Sequence, residues 1–296
     1  MYKKNGMLTS ILCLLVFVMP EILPAQFQLK PPYVVPDNVT VVKNIIFGTG
    51  GGRDLHLDLF LPNNEKPLRP GIVFIHGGGW KKGDKTKFQR QAAHLASKGF
   101  IGACIEYRLS GEAKFPAAVQ DCKCAVRWMR ANAKKYRIDP DRIAVMGGSA
   151  GGHLAAQVGT TDESFRTLEG NGGHAQYSSR VQAVVSYYGK FDVRGIDRPD
   201  FFGQSYKAIP DLYALGSPIV HVTADDPPML LCHGTADETV PYAQSVRLHA
   251  ALRTIGVHAV LKTAEGAGHG CYNRPPWYTV GLQQMEEFLT MLFFGR

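Results

Sequence analysis

Several patterns are missing from this sequence, and each absence excludes something. There is no CxxC pair and no Cys/His run at metal-ligand spacing, so neither a metal site nor a redox dithiol is expected, and no cofactor is expected. No self-similarity appears at periods of about 20–50 residues, which excludes solenoids and propellers. Basic residues outnumber acidic ones, 33 to 25, but they are scattered along the chain. Without a basic helix or aromatic–basic interleaving, no nucleic-acid partner is expected. Cysteine is sparse: six in 296 residues. Cys13 falls in the leader discussed next. The other five (Cys104, Cys122, Cys124, Cys232 and Cys271) are an odd number, so at least one thiol is free or bonded to another chain. Cys122 and Cys124 stand two apart on a predicted helix and point to different faces. Cys104 and Cys232 lie in apolar strands and read as small core residues. The fold is not expected to depend on disulfides.

Long apolar runs are also missing, with one exception. Lys3 and Lys4 precede Leu8–Met19, which is followed by PEILPAQ. A basic start, a short apolar core and a small residue before a polar one read as a secretory signal peptide over residues 1–25. The run is short for a bilayer span. Cleavage is expected near Ala25–Gln26, leaving 26–296 as a single domain outside the cytoplasm with no stable membrane association. Leu23 at the minus-three position is larger than ideal, so an uncleaved anchor is the alternative.

The remaining chain alternates period-two apolar segments with helical ones. Strands are predicted at Val39–Phe47, Leu55–Leu61, Gly71–Ile75, Ile101–Tyr107, Ile143–Met146, Val181–Tyr187, Met229–Cys232 and Ala259–Thr263. Helices are predicted at Lys85–Lys98, Pro116–Lys135, Ala150–Val158, Tyr242–Ile255 and Trp277–Phe293. The first two strands form a hairpin around GTGGGRD. From Gly71 onward the alternation favours a mostly parallel, eight-stranded sheet with helices on both faces. Two polar insertions, Asp162–Arg180 and Asp192–Asp226, are expected to act as small lids or specificity loops.

Chemistry concentrates at four places. Gly147-Gly148-Ser149-Ala150-Gly151 sits between the strand RIAVM and the next helix, a G-x-S-x-G turn in which strained backbone exposes one hydroxyl. Side chains at Gly147 and Gly151 would collide as strand and helix pass, and the N–H of Ala150 is free to receive an anion. A phosphate loop or plain tight packing is the competing interpretation of this stretch alone. GIVFIHGGGW runs a strand into His76-Gly77-Gly78-Gly79-Trp80, whose glycine N–H groups are unshielded and able to converge on one oxygen. His76 reads as a brace for that loop. MLLCHGTADETVPY carries Asp237, and KTAEGAGHGCY carries His269, each just beyond a strand's carboxyl end. The order Ser149, Asp237, His269 is that of α/β-hydrolases. His269 would take the serine proton while Asp237 holds the imidazole in the right tautomer. Glu238 is the competing acid. Asp225 and Asp226 precede their strand and are at its wrong end. His233 is expected to brace the Asp237 loop, and His153 to pack in the helix after the serine.

Together these residues resemble the α/β-hydrolase esterases with an HGGGW loop, and among them the bifunctional acetylxylan esterase/feruloyl esterase-like family of bacterial polysaccharide-degrading systems. The likeness runs through LHLDLFLP, HGGGWKKGDK, EYRLSGEAKFPAAVQDCKCAVRWMRANA, RIAVMGGSAGGHLAA, SPIVHVTADDPPMLLCHGTADETVPY and EGAGHGCY. It implies Ser149 as nucleophile with Asp237 and His269 as partners, and Gly78, Gly79 and Ala150 as oxyanion donors. Arg108 and Asp121 fall in family-like positions and read as a structural ion pair. Trp80, beside the oxyanion glycines, is expected to wall off the acyl side of the substrate site. The expected substrate is a short acyl ester on an acylated polysaccharide such as xylan. A short-chain carboxylesterase on small non-carbohydrate esters is the alternative; a serine peptidase or a binding protein on the same scaffold lacks supporting features.

Overall fold

Alternation along the strands decides how the sheet is covered. In the third strand, Ile72 and Phe74 face one buried layer and Val73 and Ile75 the other. A strand buried on both faces needs helices on both sides, and the chain supplies them. The computed structural model describes residues 33–63 and 68–296. The expected leader, 1–25, lies outside the described residues.

The strands are β1 (Val39–Gly50), β2 (Arg53–Pro62), β3 (Arg69–Ile75), β4 (Ile101–Ile105), β5 (Ile138–Gly148), β6 (Ala183–Tyr187), β7 (Met229–Gly234) and β8 (Ala259–Ala264). They form one eight-stranded sheet in the order β1-β2-β4-β3-β5-β6-β7-β8. β1 and β2 form the antiparallel hairpin, turning at Gly51 and Gly52, and β2 also pairs antiparallel with β4; the other pairs are parallel. The helices are α1 (Gln89–Ser97), α2 (Ala117–Ala131), α3 (Ala133–Tyr136), α4 (Ala150–Gly159), α5 (Arg166–Glu169), α6 (Pro199–Phe202), α7 (Pro210–Leu215), α8 (Ala243–Thr254) and α9 (Trp277–Phe294). Residues of α2, α4 and α8 fill one apolar layer, and residues of α1 and α9 fill the other. Among the described residues, no helix is long and apolar enough to cross a membrane.

All eight predicted strands form, with ends shifted by a few residues, as is usual for element boundaries. The helix predicted over Lys85–Lys98 begins instead as a 3₁₀ turn, Lys85–Phe88, capped by Asp84, whose carboxylate accepts the Thr86 N–H at 2.8 Å. The one predicted over Pro116–Lys135 breaks at Asn132, whose side-chain amide donates to the Trp128 carbonyl at 3.0 Å. Arg108, just after β4, clamps Asp121 of α2 with its own backbone N–H (2.8 Å) and its guanidinium (2.7 Å).

The insertion 162–180 departs from expectation. It contributes no lining residue to the large pocket described below. It is held against α2 instead, because Glu169 of α5 receives Lys123 Nζ at 2.7 Å and Arg127 Nη1 at 2.7 Å. Lys123 is fully buried, and its ammonium donates to the Thr161 carbonyl, Glu169 and Ser179 Oγ. Three partners match its three protons. Cys104, Cys122, Cys124, Cys232 and Cys271 are all free and buried. Burial raises every one of their thiols, Cys124 and Cys271 to about 11 and Cys104, Cys122 and Cys232 further.

Candidate active site

Parallel strands present their carboxyl ends on one edge, where α/β sheets place their ligands. Five loops meet there: 76–84 after β3, the β5–α4 turn, and the loops after β6, β7 and β8. Ser149 occupies the β5–α4 turn at φ 57°, ψ −119°. For a non-glycine residue this backbone costs roughly 1–3 kcal/mol. It persists because both ends of the residue are tied: its N–H donates to the Tyr187 carbonyl at 2.8 Å, and its carbonyl accepts the His153 N–H at 3.0 Å. The surrounding glycines permit the turn. A Cβ on Gly147 would stand 2.1 Å from the Gly151 carbonyl oxygen, and one on Gly151 the same distance from that of Ile75.

Ser149 Oγ lies 3.0 Å from His269 Nε2, and His269 Nδ1 lies 2.7 Å from Asp237 Oδ2. A carboxylate only accepts, so the proton sits on Nδ1 and the bare Nε2 accepts the serine O–H. Asp237 is fixed from the other side: its Oδ1 accepts the N–H groups of Thr239 (2.9 Å) and Val240 (2.8 Å). His233 Nε2 lies 2.9 Å from the Val240 carbonyl and 3.2 Å from Asp237 Oδ2, while its Nδ1 lies 2.7 Å from Ser245 Oγ. Two acceptors require the proton on Nε2, so His233 donates to both, and burial lowers its basicity and keeps it neutral. Glu238 makes no such contact with His269 among the described residues. Thus Ser149, Asp237 and His269 come together, and His233 braces the acid as expected.

Opposite the serine, Gly78 and Gly79 have positive φ (128° and 62°), and a Cβ on Gly78 would meet the Lys82 carbonyl oxygen at 1.9 Å. The Gly78 carbonyl is turned away to accept the N–H groups of Lys81 and Lys82, both at 3.2 Å. The N–H groups of Gly78, Gly79 and Ala150 make no backbone hydrogen bond among the described residues, and all three residues line the same pocket as Ser149. The serine's own N–H is occupied by Tyr187, which leaves Ala150, the first residue of α4, to supply the N–H beside the hydroxyl. His76 stacks on Tyr107 (centroids 4.2 Å apart), its Nδ1 lies 2.9 Å from the Gly77 carbonyl, and its carbonyl accepts Tyr107 Oη–H at 3.0 Å. It braces the loop.

Trp80 lines the pocket yet is buried, held at φ 61°. Its ring stacks on Phe201 of the second insertion at 4.5 Å, and its Nε1–H donates to His153 Nδ1 at 3.3 Å. His153 in turn donates from Nε2 to the Gly216 carbonyl at 2.8 Å. Complete burial lowers His153 to about 4, so the imidazole is neutral and its two nitrogens keep opposite roles. The packing role expected of His153 is therefore specific: it fixes the indole. Sequence reasoning missed Tyr188, at φ 41°, whose ring meets His269 edge-on at 5.0 Å and whose hydroxyl accepts Asn273 Nδ2–H at 2.7 Å. It also missed Lys190 and Arg198, which line the pocket. No local pattern marks these residues; a positive φ outside glycine is visible only in coordinates. The pocket is about 1080 Å³, room for more than an acetyl group.

The BD-FAE family model matches residues 57–252, from β2 into α8, including the HGGGW loop, Ser149 and Asp237. The chain belongs to the BD-FAE family. Among curated relatives, esterase LipQ of Mycobacterium tuberculosis is 32% identical over 73% of this chain and 54% of its own length. The isoprenylcysteine alpha-carbonyl methylesterase of Arabidopsis thaliana is 28% identical over 90% of this chain and 64% of its own. The chain thus spans about half to two thirds of the length of these curated relatives. Among solved structures, a truncated carbohydrate esterase from gut microbiota superposes with a TM-score of 0.76 at 30% identity, covering 86% of this chain and 96% of that one. Esterase 2 of Thermogutta terrifontis superposes with a TM-score of 0.75 at 30% identity, covering 87% and 94%. The fold is the α/β-hydrolase fold.

Proposed function

We propose that the BD-FAE chain is a secreted serine esterase that removes short acyl groups, acetyl or feruloyl, from plant polysaccharides such as xylan. The observation that carries this reading is the relay Asp237 Oδ2–His269 Nδ1 (2.7 Å) and His269 Nε2–Ser149 Oγ (3.0 Å). In the reaction, Ser149 Oγ adds to the ester carbonyl carbon as its proton passes to His269 Nε2. The carbonyl oxygen becomes an oxyanion facing the N–H groups of Ala150, Gly78 and Gly79. Collapse expels the alcohol, which takes the proton from His269 and leaves an acyl ester on Ser149. A water then loses a proton to His269 and adds to that ester; collapse releases the acid and returns the proton to Ser149.

Support for a carbohydrate ester comes from the carbohydrate-esterase neighbour, the pocket's volume and Trp80 as a rigid wall for a small acyl group. A second reading, a carboxylesterase on small esters, has its own support, because the Thermogutta esterase is known in propionate- and butyrate-bound forms. Two measurements test the proposal. Ser149→Ala should abolish fluorophosphonate labelling and reduce turnover by at least about 10⁴-fold while the protein stays folded. Wild-type enzyme should cleave p-nitrophenyl acetate faster than the butyrate, scarcely touch the octanoate, and release acetate from acetylated xylan. Labelling at another serine would overturn the mechanism; octanoate preference with no action on acetylated xylan would overturn only the substrate.

A further inference from the structure

The same pocket has an electrostatic character that ester hydrolysis does not require. Lys81, Lys82, Lys87, Lys190 and Arg198 line it, against one carboxylate, Asp84. That carboxylate is engaged by the N–H and hydroxyl of Thr86. Lys81 pairs with Asp200 at 2.7 Å, and Arg198 Nε approaches the same carboxylate only at 4.0 Å. Arg198 lies over the Trp80 ring, 5.3 Å from its centroid, and its Nε is buried without a hydrogen bond among the described residues. Lys190 is half-buried, two residues beyond the Tyr188 that packs on His269, and has neither an ion pair nor a hydrogen bond among the described residues. Burial lowers its basicity, and repulsion from Arg198 lowers it further. A half-buried cation is costly unless something of opposite charge meets it. The one opposing charge that acts on it is Asp237, which makes no direct pair with it and whose oxygens are already engaged by His269, His233 and the N–H groups of Thr239 and Val240.

We propose that Lys190, together with Arg198, forms an anion subsite within this pocket, so that preferred esters carry a carboxylate near the scissile bond. This rests on the serine-esterase reading above and adds the substrate's charge to it. A carboxylate would satisfy both donors, Lys190 as a compact ammonium and Arg198 through its planar fork. The unpaired cations at the mouth would concentrate such substrates by focusing the field in a low-dielectric cleft. The carboxylate has two possible positions: on the alcohol, as in an acidic sugar, or on the acyl group, as in a half-ester of a dicarboxylic acid.

Two matched pairs of esters separate these positions. 4-Acetoxybenzoate against its methyl ester puts the charge on the alcohol; p-nitrophenyl hemisuccinate against p-nitrophenyl butyrate puts it on the acyl group. At low ionic strength, kcat/KM for the anionic member of one pair should exceed that for the neutral member by about 10-fold, falling severalfold in about 0.5 M NaCl. Lys190→Gln should bring that ratio to within about twofold of unity, and Lys190→Arg should restore it; the ratio is the readout, whatever the absolute rates. Neutral preference in both pairs, a ratio insensitive to salt, or an undiminished ratio in Lys190→Gln would each overturn the subsite. The salt dependence needs no variant to fold. A folded wild-type protein that hydrolyses none of the four esters would instead defeat the serine-esterase reading.

Discussion

The two insertions look alike in sequence, polar and lying between the serine helix and β7, yet their buried attachments differ in kind. Residues 162–180 are pinned by buried charge: Lys123 and Arg127 of α2 converge on Glu169, with Ser179 Oγ donating to the same carboxylate at 2.7 Å. Residues 192–226 also pair with Lys81, Arg180 and Arg247, but each of those basic side chains is solvent-exposed, and the buried attachments of the segment are neutral. Phe201 stacks on Trp80, His153 donates to Gly216, and Gln157 Nε2 donates to the Leu215 carbonyl at 3.0 Å. Only the second reaches the pocket, through Arg198 and the Phe201–Trp80 stack. Buried ionic anchoring secures the segment that does not reach the pocket; the segment behind the substrate wall is fastened in its interior by neutral contacts, with its ion pairs left to exposed partners.

The largest effect should come from breaking the ionic anchor. Glu169→Ala leaves the buried Lys123 and Arg127 without their carboxylate and should cost about 3–5 kcal/mol, read as a drop in the denaturation midpoint. Relative rates on acetate and butyrate esters should hold, because the first insertion does not line the pocket. Altered chain-length preference in this variant would erase the contrast between the insertions.

The neutral anchor should fail with acid instead. His153 titrates near 6.5 when unfolded and at about 4 when folded. The unfolded chain therefore binds the proton first as pH falls, and stability is lost between those values; above 6.5 it is fully present. For this fully buried group the loss is about 3 kcal/mol, of which His153→Gln should remove most by flattening the rise of Tm with pH across that window. An unchanged slope would show that His153 is not the titrating group.

The smallest effect is the most specific. Phe201→Ala takes away the ring that backs Trp80 and should shift the octanoate-to-acetate ratio toward octanoate by about 10-fold, equivalent to about 1.4 kcal/mol. The indole would then have room to yield to longer acyl chains, each further methylene gaining about 0.8 kcal/mol. A ratio that stays fixed would assign the acyl wall to other residues.

The features legible in sequence are those whose cause is local. Gly147 and Gly151 announce the Ser149 turn because strand and helix must pass within reach of any side chain there. The carboxyl end of each apolar strand locates Gly78, Asp237 and His269 without knowledge of the sheet order. By contrast, Trp80 and His153 are 73 positions apart, and their hydrogen bond depends on how the Trp80 loop folds onto α4. The fate of the first insertion was hidden for a related reason. Lys123 and Arg127 read as ordinary helix cations, and only packing shows that α2 buries them. Lys190 and Arg198 were invisible because lone basic residues in polar loops look like any solvated surface.

The buried cysteines have a practical consequence. Their thiols are shielded and held protonated well above neutral pH, so the described residues offer almost no thiolate to an electrophile or to a second cysteine. The described fold needs no oxidant to form, and a reducing cytoplasm is as suitable for producing it as an oxidising one. The same property makes the protein its own unfolding sensor. A maleimide dye should leave these five thiols dark in the native protein, and their labelling in denaturant or heat follows the opening of the core, with Cys104 and Cys271 reporting one layer beside the sheet and Cys122 and Cys124 the other.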